Sequence, residues 1–120
     1  MNSQTALRIS AITGFLAVAL GAFGAHGLHD VLEKNARLAT WETAALYHLT
    51  HAVVLFVIAG MRPRLAAAWW LMLAGVTIFS GTLYILALTN VKWLGAITPI
   101  GGVCLLAGWL ALAFGKKQEG

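Results

Sequence analysis

Apolar residues run along the chain in four long stretches that contain no Asp, Glu, Lys or Arg. The hydrocarbon core of a bilayer is about 30 Å thick, and roughly 20 residues of helix are needed to cross it. Because backbone amides in lipid must be paired within the structure, and strands of a closed barrel are much shorter than these stretches, the pattern predicts transmembrane helices. The expected spans are residues 9–28, 43–61, 65–89 and 93–114.

The extended polar stretch between the first two spans, residues 29–42, has a helical pattern of its own. On a helix its apolar side chains share one face, and its charged side chains share the other. Asp30 and Lys34 form an i,i+4 pair with the acid first, which is the favourable order. We therefore predict a short amphipathic helix on the membrane surface, with a solvated loop as the alternative.

The predicted fold class is all-α. It is an integral membrane four-helix bundle in a single transmembrane domain, residues 1–120, with a short amphipathic interfacial helix between helices 1 and 2. The two remaining connections are short, which makes consecutive spans antiparallel neighbours.

Composition agrees with a membrane protein, since 60% of the residues are hydrophobic and 10% are charged, against about 25% charged in a typical soluble domain. The formal net charge of +4 would suggest nucleic acid in a soluble protein. Here the basic residues are scattered in ones and twos at the ends of the apolar stretches, and no nucleic-acid motif gathers them. We expect the lipid bilayer, and no nucleic acid, as the partner.

The distribution of basic residues predicts the orientation. With four spans both termini share one side of the membrane, and that side has the larger share of Lys and Arg. The positive-inside rule then places both termini in the cytoplasm. The basic residues on the side of the termini are Arg8, Arg62, Arg64, Lys116 and Lys117, and those on the opposite side are Lys34, Arg37 and Lys92.

Small residues mark the helix surfaces that pack closely, because helices in lipid associate through such surfaces. The first span has small residues on two faces, one of which carries Gly21 and Gly24, so we expect this span at the centre of the bundle. In the fourth span Gly95, Pro99 and Gly102 lie on one line, which predicts another packing surface.

Histidines are the main polar groups within the apolar stretches, where an ionisable side chain is costly and requires an explanation. His26 and His29 lie near the end of the first span, and His48 and His51 lie in the second. On a helical wheel Tyr47, His48 and His51 fall within about 100° of arc. We expect this polar face to point into the bundle.

Three interpretations of this polarity stay open. In the first, the imidazoles and the Tyr47 hydroxyl form hydrogen bonds to hydroxyls of the third span or to backbone carbonyls and tie the helices together. In the second, His26 together with His48 or His51 ligates a haem or a metal. In the third, the imidazoles relay protons or bind a small polar molecule or a quinone headgroup.

Several kinds of function are disfavoured, because the spans lack the residues that those functions need. No span contains a carboxylate, and no nucleophile has a paired base and an orienting acid, so we identify no catalytic residue and do not expect an enzyme. Apart from the haem or metal of the second interpretation, we expect no metal and no cofactor. The single Cys104 lies in an apolar stretch and excludes an intrachain disulfide, which predicts a packing role.

Distinctive motifs carry a family resemblance. They are GAFGAHG at 21–27, Trp41 followed by Tyr47 and His51, FSGTLY at 79–84, TPIGG at 98–102, and Gly108 with Trp109. This combination resembles the YgdD-like family of small bacterial inner-membrane proteins, a domain of unknown function, over essentially the whole chain. The resemblance implies four spans and a bacterial inner-membrane location. It also implies that His26 and His51, and not His48, hold the shared histidine positions.

These features together predict a protein that binds another membrane component, whether a protein partner, a lipid or an isoprenoid. The competing hypotheses are a His-dependent cofactor or small-molecule site, and a pore or carrier formed by a homo-oligomer. The candidate binding or structural cluster consists of His26, Trp41, Tyr47, His51, Ser80 and Tyr84.

Overall fold

The computed structural model describes residues 2–115, which form five helices and no strand. The two basic residues Lys116 and Lys117 lie outside the described part of the chain. Four of the helices are long and apolar enough to cross a membrane, which confirms the all-α four-helix membrane fold. The helices are α1 Ser3–Ala25, α2 His29–Lys34, α3 Leu38–Met61, α4 Ala66–Thr89 and α5 Leu94–Phe114.

The helices α1 and α3 begin before the apolar stretches that predicted them. The side chain of Asn2 accepts a hydrogen bond from the Thr5 amide at 2.8 Å, and this cap starts α1 at Ser3. The helix α3 starts at Leu38. Both helices therefore continue beyond the charge-free stretches, because helical backbone pairs its own amides in water as well as in lipid.

The amphipathic helix predicted over residues 29–42 is present only in its first half. The helix α2 has six residues, and its Leu32 side chain is fully buried against the ends of the long helices. Ala36 has a left-handed backbone with φ of 57°, which interrupts the helical path. Residues 38–42 consequently belong to α3.

The connection between α2 and α3 holds the last turn of α4. The amide of the Asn35 side chain donates to the carbonyls of Ala87 at 3.0 Å and Leu88 at 3.2 Å. Nε of Arg37 donates to Oδ1 of Asn90 at 3.0 Å. Carbonyls at the end of a helix lack intrahelical partners, so the two bonds from Asn35 satisfy groups that would otherwise be unpaired.

The long helices stand in a row in the order α1, α3, α4, α5. Among the described residues, α1 and α4 make no close backbone contact, and neither do α3 and α5. The prediction that the first span is central is wrong, because α1 packs along α3 at one edge of the row. Only one of its small-residue faces is used. Gly24, on the face shared with Gly21, is buried and receives Trp41 of α3. Phe15 and Ala22, on the opposite side of the helix, are exposed.

The helices α4 and α5 approach most closely at glycines. A Cβ added to Gly101 would overlap the backbone of Phe79, and a Cβ on Gly75 would lie 2.8 Å from side-chain and backbone atoms of α5. The packing line of α5 therefore runs through Gly101 and Gly108. It does not follow the predicted line through Gly102, where an added Cβ would have ordinary contacts at 3.8 Å.

Candidate functional site

Two lateral grooves flank the middle of the row, each between helices that are not in close backbone contact. The α3/α5 groove has a volume of about 370 Å³, and the α1/α4 groove has a volume of about 220 Å³. The helix α4 lines both, with Phe79 in the α3/α5 groove and Thr77 in the α1/α4 groove. Two residues of helix turn through about 200°, so the grooves open on opposite faces of α4.

The α3/α5 groove is lined mainly by aromatic and apolar side chains. Tyr47 lies nearly parallel to the His51 ring, with centroids 5.9 Å apart, and tilts against Phe79 at 4.7 Å. The Tyr47 side chain is half-exposed, so only part of the predicted polar face of α3 points into the bundle. Its lining includes Tyr47, His51, Phe79, Pro99, Gly102 and Trp109.

His51 bridges α3 and α5 across this groove. Its Nδ1 lies 2.8 Å from the carbonyl of Tyr47, and Nε1 of Trp109 donates to its Nε2 at 3.2 Å. Because an indole N–H only donates, Nε2 must accept and Nδ1 must carry the hydrogen. Both ring nitrogens of His51 are therefore engaged.

Trp109 is a site residue that the candidate cluster from the sequence did not include. Of the five tryptophans it fits a position at a span end least well, because it lies inside the last stretch. A tryptophan within hydrocarbon needs a partner for its N–H group. This requirement can be read from the sequence, and it predicts a hydrogen-bond acceptor such as His51 beside Trp109.

The α1/α4 groove gathers His48, Ser80 and Tyr84 of the predicted polar groups. Nδ1 of His48 lies 2.9 Å from the Tyr84 hydroxyl, and the Ser80 hydroxyl donates to the carbonyl of Ala44 at 2.8 Å. All three side chains are buried. These bonds link α3 to α4, in agreement with the interpretation of the polar groups as ties between helices.

Trp41 connects the same region to α1. Its indole Nε1 donates to the carbonyl of Leu20 at 2.9 Å, and its ring lies 4.6 Å from that of Tyr84. The indole occupies the space that a Cβ of Gly24 would need. The absence of a side chain at Gly24 is therefore what lets Trp41 reach the backbone of α1.

His26 does not join either groove. It follows the last residue of α1 and is exposed. Trp41 is level with Leu20; His26 lies six residues beyond Leu20 towards one end, and His51 lies ten residues from Trp41 towards the other. At 1.5 Å per residue these offsets place His26 and His51 roughly 24 Å apart along the helix axes.

This separation does not fit a haem or metal held by His26 with His48 or His51. Axial ligands must bind one iron from its two sides, which brings the two rings within a few Å of each other. His51 also has no free nitrogen for a metal. Within residues 2–115 a metal-like grouping occurs at His29, Asp30 and Glu33, which lie on the surface of α2 away from both grooves.

Most of the chain matches a known family model. Residues 20–102 match the family model described as a protein of unknown function, DUF423. The chain belongs to the DUF423 family. The match covers α3 and α4 completely, together with the end of α1 from Leu20 and the start of α5 as far as Gly102.

Relatives of this DUF423 protein are named UPF0382 membrane proteins. The one from Bacillus subtilis, YwdK, is 46% identical over 110 residues, which cover 87% of this chain and 89% of the relative. The one from Haemophilus influenzae is 40% identical over 119 residues, covering 94% of each. No solved structure matches the chain significantly. With the four apolar helices, these relatives establish a multi-pass bacterial membrane protein.

Proposed function

We propose that this DUF423 protein binds a long apolar chain, of the isoprenoid type, in the α3/α5 groove within the bilayer. The observation that carries the proposal is a groove lined by aromatic side chains and closed on one side by the hydrogen bond between Trp109 and His51. Its volume of about 370 Å³ falls in the range of small-molecule sites, about 300–1,000 Å³.

The depth of the groove favours a long chain. On α5 it extends from Pro99 to Trp109, about 15 Å of helix rise centred on the middle of that helix. Half of the hydrocarbon core is also about 15 Å thick, so a lipid chain rooted in one headgroup layer ends near the midplane. A chain that fills the groove must cross the midplane, which suits an isoprenoid better than an ordinary acyl chain.

The shape of the groove argues against a protein helix as the occupant. A helix with its side chains is about 10–12 Å wide. Trp109 spans the gap between α3 and α5 and contacts His51, so no space of that width remains between them. A flexible chain is thin enough to lie beside this bridge.

A pore, a carrier and an enzyme each have less support than a lipid-binding protein. The polar residues Thr77, Ser80 and Tyr84 face a groove that is open on one side, so one copy of the row encloses no polar path. The apolar walls of the α3/α5 groove would not complete such a path between copies of a homo-oligomer. A catalytic role has no support at His51, because its two hydrogen-bond partners, a backbone carbonyl and an indole, are neither nucleophiles nor acids.

The test compares two leucine substitutions on α5. Gly102→Leu fills the groove, and Gly95→Leu adds the same side chain where the surrounding space is open. Protein is purified from membranes in mild detergent, and its bound lipids are measured by native mass spectrometry and after extraction. We expect an isoprenoid to accompany the wild type and Gly95→Leu, and to fall at least about tenfold in Gly102→Leu, equivalent to 1.4 kcal/mol.

Two results would overturn the proposal. One is co-purification of two-chain phospholipids alone with the wild type. The other is equal isoprenoid occupancy in both variants, because the groove would then not be the binding site. Melting curves of both variants establish that they are folded before occupancy is compared.

The orientation and the inner-membrane location are part of the proposal. Arg8, Arg62 and Arg64 lie at the terminal end of the row, and three basic residues lie at the α2 end. The sequence adds Lys116 and Lys117 after the last span. This bias supports termini in the cytoplasm. Fluorescence of a C-terminal green fluorescent protein fusion tests it; activity of an alkaline phosphatase fusion at the same site would contradict it. We also propose that the YgdD-like resemblance and DUF423 describe one family.

A further inference from the structure

The α1/α4 groove has a different lining from the α3/α5 groove. Five of its nine lining side chains are polar, although it lies between membrane-spanning helices. Polar groups in hydrocarbon are costly and call for a structural or functional explanation. The five residues are Thr13, His48, Thr77, Ser80 and Tyr84.

Three hydroxyls of this groove have already committed their hydrogens. Each donates to a backbone carbonyl at a distance between 2.7 and 2.8 Å. A hydroxyl has one hydrogen and two lone pairs, so each of these groups has only acceptor capacity left. The donor and acceptor pairs are Thr13 with Ile9, Thr77 with Leu73, and Ser80 with Ala44.

His48 and Tyr84 complete the polar lining. They share one hydrogen bond, of 2.9 Å, between Nδ1 and the phenol oxygen. His48 also forms a hydrogen bond with the backbone of Thr13, so the remaining capacity of the lining lies in its hydroxyls. A ligand hydroxyl supplies the hydrogen that the committed hydroxyls lack. A carbonyl ligand would leave those acceptors without a donor.

The charge of the lining residues and the depth of the groove in the membrane restrict the chemical class of the ligand further. No residue lining the groove is acidic, so an ammonium group would enter the membrane without a counter-ion. The groove extends from the middle of α4 at Thr77 to Tyr84, about 10 Å towards the α2 end. The head of a neutral amphiphile in that leaflet reaches this depth.

We propose that the α1/α4 groove is a second binding site, which takes the hydroxyl head of a neutral membrane alcohol or quinol. Its volume of about 220 Å³ is below the range of sites that enclose a whole small molecule, so the site holds the head while the tail stays in lipid. This inference is independent of the proposal for the α3/α5 groove, which uses other residues on the opposite face of α4.

The test uses pairs of probes that differ in the donor hydrogen. The full-length wild-type protein in phosphatidylcholine nanodiscs is titrated with decylubiquinol and decylubiquinone, and separately with dodecanol and dodecyl methyl ether. We expect the donor in at least one pair to bind at least tenfold more tightly than its partner. Selectivity confined to the first pair identifies a quinol site, and selectivity in the second identifies a lipid alcohol.

A pair of valine substitutions on α4 locates the site. Thr77→Val removes an acceptor from the groove, whereas Thr89→Val removes a hydroxyl with the same i−4 backbone bond at the end of the helix. We expect Thr77→Val to weaken binding of the selected donor about fivefold, the effect of one net hydrogen bond. Thr89→Val should leave that binding unchanged.

Three outcomes would overturn the inference. The first is that neither donor binds, and the second is that donor and donor-free probes bind equally or the donor-free probe binds more tightly. Both are measured on the wild type, so they do not depend on the folding of a variant. The third is an equal effect of the two valine substitutions, which would place the selective binding outside the groove.

Discussion

The α3/α5 groove and the α1/α4 groove share a construction and differ in chemistry. Each lies between two helices that are two places apart in the row, with the helix between them as its floor. In the first, aromatic rings form the walls and the polar His51 is fully paired. In the second, the hydroxyls of Thr13 and Thr77 have committed their hydrogens and keep lone pairs available, whereas Ser80 is buried.

This difference shows how one helix serves two environments. His48 and His51 of α3 are about 60° apart around the helix axis. That rotation is enough to place His48 against Tyr84 on one side and His51 against Trp109 on the other. A polar face that looks single on a helical wheel is therefore divided between two grooves by the position of α4.

The largest expected effect comes from the close contact of α4 and α5 beside the α3/α5 groove. A Cβ in Gly101→Ala would overlap the backbone of Phe79, which cannot rotate away as a side chain can. Overpacking of this kind costs about 3 kcal/mol, so we expect the free energy of unfolding to fall by that amount. Reversible unfolding in mixed detergent micelles measures it. The control Gly102→Ala adds an ordinary contact, and an equal loss in both variants would contradict the assigned interface.

A smaller effect is expected on the α1 side of the comparison. Gly24→Ala displaces the Trp41 indole and weakens its bond to the Leu20 carbonyl. We expect a loss of about 2 kcal/mol in the free energy of unfolding. The matched control is Gly21→Ala, where the space is open and alanine favours the helix. Unfolding of the two variants in the same micelles is the measurement; a stable Gly24→Ala would mean that Trp41 does not fix α1.

The smallest effect concerns the bridge that closes the α3/α5 groove. Trp109→Phe keeps an aromatic ring and removes the donor to Nε2 of His51. Hydrogen bonds between membrane helices average about 0.6 kcal/mol, and we expect a coupling of that size. A double-mutant cycle with His51→Leu isolates it. Coupling near zero would show that the ring contact between Trp109 and His51, and not the hydrogen bond, holds the two helices.

The positions of the spans could be read from the sequence because charge is excluded from hydrocarbon, and the four apolar stretches follow this rule directly. The end of α2 could not be predicted, because Ala36 has a backbone conformation that alanine seldom adopts. The edge position of α1 also escaped prediction. Spacing shows that a helix has two small-residue faces, but it does not show which face receives a large side chain such as Trp41.

The structure divides the candidate cluster between the two grooves. The sequence grouped Ser80 and Tyr84 with His51, whereas the structure has them in the groove of His48. The exposed His26 belongs to a glycine-rich motif, and the structure connects that motif to the site through Gly24 and Trp41. Gly24 and His26 belong to one motif, but α1 ends between them. Gly24 therefore packs against Trp41, whereas His26 is exposed.

The order of helices in the row bears on how the chain is made. Each long helix packs on the long helix that precedes it in the sequence, with α3 against α1, α4 against α3 and α5 against α4. During synthesis every new span therefore meets its partner already in the bilayer. No span has to be inserted between two earlier ones, so the order of translation is also a sufficient order of assembly.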